Sequence, residues 1–512
     1  MKPKVYLLAV ILCCILTFAV WAGTVNLPQT GQTTCWDAYG DVISCAGTGQ
    51  DGAIKAGVAW PNPRFTDNGD QTMTDNLTGL IWAKDASTPS VGLCKGGAMS
   101  WQDALGYVAC LNIAIYLGYN DWRLPNINEM KSLENIGQGG DSGTWLDTQG
   151  FTTVESSYWS STTCSGIPSL AWVVGLTAGA SGAVGGAKTN GNSVWPVRAG
   201  QSGSFNNAAI WQTGQTNCWD SNGNPITCTG TGQDGDIRAG TVWPNPRFTD
   251  NGDGTVTDNL TGLTWTKDAG TPTAGSCTGG YMPWQNAPNY VSCLNKASYL
   301  GHTDWRLPNI TELRSLADYS QSNPALPAGN PFTTAQTFYY WSSSTYASIP
   351  SEAWLAGMDG GYELADLKTS FIYSTGYVSL PVYVWPLRGG LPPTPTPVGC
   401  PQATLSSAFA LYIPNLQYTP AFGSSMNLWF NLVSQQIGGN LYFEVSNYGV
   451  NQGNSTPAGC PQATLSPALT LYIPNLQYTP ASGSSMNLWL NLAFQQTGNY
   501  FYFEVVGYGL NP

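Results

Sequence analysis

The 512-residue chain has few charged residues (9%), many aromatics (12%), 60 glycines, 34 prolines and a net charge of −12. Such a composition excludes a helix-rich cytosolic enzyme and points to turn-rich, partly β, extracellular modules; the length allows two to four domains. The negative charge argues against nucleic acid, anionic membranes and polyanions as partners.

At the start of the chain, Lys2 and Lys4 precede an apolar run from Val5 to Val20. Val20-Trp21-Ala22 supplies the small residues of a cleavage site, so 1–22 reads as a secretory signal peptide, with a retained anchor as the alternative. Export makes disulfides the default for the remaining cysteines. Cys35, Asp67, Trp82, Cys94, Trp101, Cys110 and Trp122 reappear in order as Cys218, Asp250, Trp265, Cys277, Trp284, Cys293 and Trp305. Residues 24–199 and 208–389 are therefore two copies of one domain, joined by the polar hinge Gln201–Asn207. Local pairing is expected for Cys35 with Cys45, Cys94 with Cys110, Cys218 with Cys228 and Cys277 with Cys293. Cys164 has no counterpart, because Tyr346 takes its place.

Within each copy, strand and turn come first. In the second copy Arg247–Asp250 and Thr255–Asp258 flank Asn-Gly-Asp-Gly, a hairpin signal, and Leu263–Lys267 is a third strand. Helices are expected at 101–112 and 127–136, the equivalent of the first starting late or kinking at Pro288. Tyr158–Thr162, Ala171–Val174 and Val194–Arg198 read as closing strands. Between the two helices lies Asp121-Trp122-Arg123-Leu124-Pro125-Asn126, repeated at Asp304–Asn309. Asn126 with Glu129, and Asn309 with Glu312, have the spacing of a capping box. A lone charge among apolar neighbours is costly, so Arg123 and Arg306 are expected to be paired and structural, as are Trp122 and Trp305.

Leu391–Val398, within a linker at 390–399, is a Pro/Thr spacer of polyproline type. Two copies of a different repeat follow, at 400–450 and 460–512. Apolar-polar alternation makes each a small antiparallel β unit, begun by Cys400 and Cys460. From Leu391 to Pro512 the only charged residues are Glu444 and Glu504. Such a neutral surface is cohesive.

Catalytic constellations are missing from the sequence. His302 is the single histidine, and the first copy has Tyr119 in its place, so no histidine-based triad occurs in both copies. The best site candidate is the acidic turn: Asp67, Asn68, Asp70 and Asp75, and again Asp250, Asn251, Asp253 and Asp258. These hard oxygens suit Ca²⁺, while the same residues also favour a plain hairpin turn. The tryptophans are the other candidate, since indoles stack on sugar faces. Trp101, Trp122, Trp159, Trp172 and Trp195 read as core, and Trp429 and Trp489 as the tail's core or a flat binding face.

The order Phe248 to Trp265, Asp304–Asn309, Tyr340-Trp341-Ser342-Ser343 and Val384–Arg388 resembles the Lcl C-terminal domain family, named from a collagen-like surface adhesin of Legionella. More distantly it resembles formylglycine-generating-enzyme-like and C-type lectin-like domains. The resemblance implies an α+β fold: two tandem C-type lectin-like domains with short helices and antiparallel strands, followed by two small all-β repeats. It also implies a secreted or cell-surface, non-enzymatic adhesion protein that binds polysaccharide. The alternative is a structural component of a surface layer or appendage that self-assembles through the neutral tail. Expected partners are a glycan surface and further copies of the chain, with no nucleic acid and no membrane after signal cleavage.

Overall fold

The computed structural model describes residues 25–138, 141–177, 182–198, 210–370 and 381–390 with side chains. It describes 6–8, 199, 372–374, 379–380 and the tail strands by backbone alone. The hinge at 201–207, the spacer at 391–398, Cys400, Cys460 and most of the leader lie outside the described residues, as do the side chains of Trp429 and Trp489. Residues 21–392 form one compact unit, and the tail forms another together with residues 1–20.

In the large unit both copies build the same parts. A hairpin, Phe65–Asp67 with Thr72–Asp75, is extended by Leu80–Ala83 and closed by Val197–Ala199. Its twin uses Phe248–Asp250, Thr255–Asp258, Thr264–Thr266 and Leu387–Arg388. The first long helix is Trp101–Ile113, started by Ser100, whose Oγ accepts from Asp103 N. In the second copy a 3₁₀ turn at Trp284–Asn286 precedes the helix Ala287–Lys296, and Pro288 sits in its first turn, where the absent N–H costs nothing. The second helix is shorter than its periodicity predicts: Ile127–Lys131 and Ile310–Ser315. Its end is drawn aside, because the Ser132 carbonyl accepts from Arg64 Nη2 and the Ser315 carbonyl from Arg247 Nη2.

Ser157–Thr163, Leu170–Gly175 and Gly182–Ala187 form an antiparallel layer in the first copy, matched by Tyr339–Thr345, Glu352–Gly357 and Tyr362–Leu367 in the second. The two layers join edge to edge, Glu363 opposite Ala183, into one eight-stranded sheet. No sequence signal marked Gly182–Ala187, Tyr362–Leu367 or the helix Ser142–Thr148.

The cores are built from tryptophan. Trp82, Trp101, Trp159, Trp172, Trp195, Trp265, Trp341 and Trp385 are all fully buried. Buried indole N–H groups need acceptors. Trp101, Trp159 and Trp195 donate to the carbonyls of Ser160, Met99 and Ala83, and their twins donate to Ser342, Met282 and Thr266. These rings are therefore committed to the interior, with no face left for a sugar.

In the tail, the two copies are not separate units. Strands 410–418, 426–437 and 440–450 of the first and 470–478, 486–497 and 500–511 of the second belong to one sheet. Ala403–Leu405 pairs with Thr470–Tyr478 of the other copy, and Ala463–Leu465 pairs with Ala410–Tyr418. Tyr6–Leu8 also pairs with Asn440–Val450 in this sheet.

Candidate functional site

The repeated Trp-Arg-Leu-Pro-Asn segment is both scaffold and socket. Asn126 Oδ1 accepts from Glu129 N, and the Glu129 carboxylate accepts from Asn126 N, which satisfies two helix-end donors reciprocally. Asn309 and Glu312 repeat this. The same carboxylates hold the arginines. Arg123 donates from Nη1 and Nη2 to Glu129 at 2.5 and 2.6 Å, and Arg306 pairs in the same two-pronged way with Glu312. Trp122 and Trp305 are buried, with their N–H groups on the Tyr116 and Tyr299 carbonyls.

The cap asparagines have a second task, which the sequence did not reveal. Asn126 Nδ2 donates to the Ala239 carbonyl, and Asn309 Nδ2 to the Ala56 carbonyl. Ala239 belongs to the start of the second copy and Ala56 to the start of the first. Each cap thus grips the other copy's N-terminal arm.

The rest of the contact follows the same pattern. Gln32 in arm 1 (residues 25–60) exchanges two hydrogen bonds with the Thr345 backbone, and Gln215 in arm 2 (residues 210–243) does so with Thr163. Asp51 accepts from Ser344 Oγ at 2.6 Å and Asp234 from Thr162 Oγ1 at 2.7 Å. Lys368 Nζ donates to the Trp36 and Asp37 carbonyls, and Lys188 Nζ to those of Trp219 and Asp220. Both lysines lie over indoles, Trp284 and Trp101, at 4.5 and 4.1 Å. Val25 and Leu27 join the core of the second copy, and Ile210 that of the first. The two copies have exchanged arms.

Electrostatics at the sockets are tuned by burial. Asp51 and Asp234 are each 1% exposed, and burial pushes both carboxyls up to about 6 against the pull of their hydroxyl donors. Burial lowers Lys188 and Lys368 to about 8, partly offset for Lys188 by Cys164 and Asp220 and for Lys368 by Asp37. Between the copies lies a buried cluster of Lys131, Glu134, Arg314 and Glu363. Lys131 Nζ is 2.9 Å from Glu134 and 2.7 Å from Glu363. Arg314 reaches Glu363 at 2.6 Å and Glu134 at 3.1 Å. Burial alone would raise the Glu363 carboxyl, but Arg314 and Lys131 hold it below its ordinary value.

In the acidic turns the carboxylates expected to suit calcium are bonded to partners of the chain's own. Asp75 and Asp258 are fully buried behind the hairpin, each bidentate to an arginine, Arg64 or Arg247, and each accepting from a backbone N–H and a threonine. Asp67 and Asp250 bind Lys84 and Lys267 at 2.6 Å. Asp70 and Asp253 accept from Thr72 and Thr255, and Asn68 and Asn251 tie to the same threonines. Among the described residues no group of three or more His, Cys, Asp or Glu is placed to hold a metal ion. Gln71 takes the left-handed conformation, φ 69°, where the second copy has Gly254.

The four local disulfides are formed: Cys35–Cys45, Cys94–Cys110, Cys218–Cys228 and Cys277–Cys293. Cys164 is a buried thiol, which burial raises to about 12. His302 packs edge-on against Trp305. Trp60 and Trp145 form a half-buried pair, with centroids 5.4 Å apart and Arg64 4.6 Å from the Trp60 ring. Trp60 recurs as Trp243, with Arg247 4.7 Å from its ring, whereas Trp145 has no counterpart in the second copy.

Residues 71–198 and 254–382, together just over half of the chain, match the Lcl C-terminal domain. The chain belongs to this family. It carries two tandem Lcl C-terminal domains, and the arms that complete each domain's socket precede the matched residues. Family and disulfides together make it an adhesin-like protein of the cell surface or extracellular space. Among the described residues no helix is long and apolar enough to cross a membrane. No curated protein and no solved structure matches the chain.

Proposed function

We propose that this chain is an exported adhesion protein that binds polysaccharide and performs no catalysis. Two Lcl C-terminal domains fused into one rigid block would present two surfaces at a fixed spacing, so that weak sites act together. The packing of helices on antiparallel layers supports reading each domain as C-type lectin-like. The observation that carries the polysaccharide reading is the Trp60–Trp145 pair, since the other tryptophans of the first domain are buried. Partly exposed indoles offer apolar faces to sugar C–H surfaces. Calcium plays no part in this reading.

Affinity electrophoresis of the full chain against neutral and acidic polysaccharides tests it. Retardation by at least one of them, reduced tenfold or more by Trp145→Ala, is expected. Retardation by none, or retardation that Trp145→Ala leaves unchanged, would sink the assignment.

A second reading, self-assembly through the tail, is favoured by the shared tail sheet and its near absence of charge. Size exclusion with and without residues 391–512 separates the two. Oligomers lost on truncation support assembly.

A further inference from the structure

The exchanged arms are interchangeable in sequence. Thr30-Gly31-Gln32-Thr33 and Cys35-Trp36-Asp37 in arm 1 recur as Thr213-Gly214-Gln215-Thr216 and Cys218-Trp219-Asp220 in arm 2. The sockets correspond residue by residue, as the paired contacts of Asn309 and Asn126, Thr345 and Thr163, and Lys368 and Lys188 show. A socket that recognises an arm through its backbone carbonyls, one glutamine and one aspartate has no means of telling its own arm from an identical arm on another molecule.

The two arms differ in when their sockets exist. Arm 2 follows its socket, because Asn126, Thr163 and Lys188 all precede residue 210. Arm 1 comes first, and its socket is complete only when Lys368 and Gly390 have been made; Gly57 N donates to the Gly390 carbonyl. Closing a long loop is slow relative to making local contacts. Through that interval arm 1 and a neighbour's finished second-domain socket are both available.

We propose that the second-domain socket is an intermolecular docking site for arm 1 of another copy of this chain. Reciprocal exchange between two chains closes a two-fold dimer; one-way exchange extends head to tail. Each bond made in the exchanged form is one already made within a single chain, so the arrangement needs no new surface. It is independent of the tail.

Two full-length versions with different affinity tags, disulfides intact, are unfolded in denaturant and refolded together. Capture by another chain competes with capture within the chain, so a tenfold higher chain concentration gives about a tenfold larger fraction of chains in mixed oligomer while oligomer is the minority. A photo-reactive benzoylphenylalanine at position 39, where Tyr39 is 78% exposed at the arm tip, then cross-links to the Pro350–Ser351 segment of the differently tagged chain. The proposal is overturned if only monomer forms at every concentration. It is equally overturned if mixed oligomers appear but the position-39 cross-links stay within one chain, or if mixing native chains without unfolding produces them as readily.

Discussion

Asp51→Asn should stabilise the protein at neutral pH and leave it nearly unchanged in acid. The Asp51 carboxyl is buried and pushed from 3.8 up to about 6, mainly by desolvation, with Glu312 adding to the rise and Ser344, Thr30 and Arg306 opposing it. A raised folded-state value means that the ionised form is the disfavoured one. Its stability contribution is therefore fully present below about pH 4 and lost as pH rises through about 6. Two units at roughly 1.4 kcal/mol each put the loss at about 3 kcal/mol by pH 7. Asparagine carries no charge to bury, and its oxygen can accept from Thr30 and Ser344 in place of the carboxylate oxygen. Melting of the full chain followed by near-ultraviolet circular dichroism from pH 4 to 8 reads this directly. The variant's advantage should grow between pH 4 and 6 and then level off. Asp234→Asn should behave alike. A variant less stable than the parent at pH 7.5, by a margin independent of pH, would refute the reasoning.

Arg314→Met leaves Lys131 alone against two buried carboxylates, Glu134 and Glu363, and should cost about 3–5 kcal/mol in urea unfolding, part of which Arg314→Met with Glu363→Leu recovers. Gly52→Ala would place a methyl 2.4 Å from the Thr34 carbonyl oxygen, which is backbone and cannot yield, so its melting midpoint should fall and proteolysis of arm 1 should quicken. Gly106→Ala, in the Trp101–Ile113 helix with open space around it, should instead stabilise by about 1 kcal/mol. Added calcium should leave the midpoint where it is, because Asp75 and Asp258 already serve Arg64 and Arg247.

Local chemistry was legible in the sequence wherever it was dictated by neighbours along the chain. The capping boxes at Asn126 and Asn309, the hairpin at Phe248–Asp258 and the duplication itself follow from short-range spacing. The second helix was overestimated because its periodicity runs on after Ser132, while the Ser132 carbonyl is taken by Arg64, which is remote in sequence. The ion pairs of the acidic turns were hidden for a similar reason. Asp70 and Asp75 are close in sequence, but the strand between them turns Asp75 towards Arg64 and away from the loop. Arm exchange was invisible, because two arms and two sockets that match at their contacting residues carry no record of which meets which. Only the length and course of the intervening chain decide it.

The exchange of arms is tested most directly within the native monomer. With benzoylphenylalanine in place of Tyr39, mass spectrometry of the cross-linked monomer identifies the peptide beneath the arm tip. Gly40 lies against Pro350 and Ser351 in the second domain, as Gly223 does against Pro168 and Ser169 in the first. The account predicts attachment to the 350–351 segment; attachment to the 168–169 segment would mean that each domain keeps its own arm.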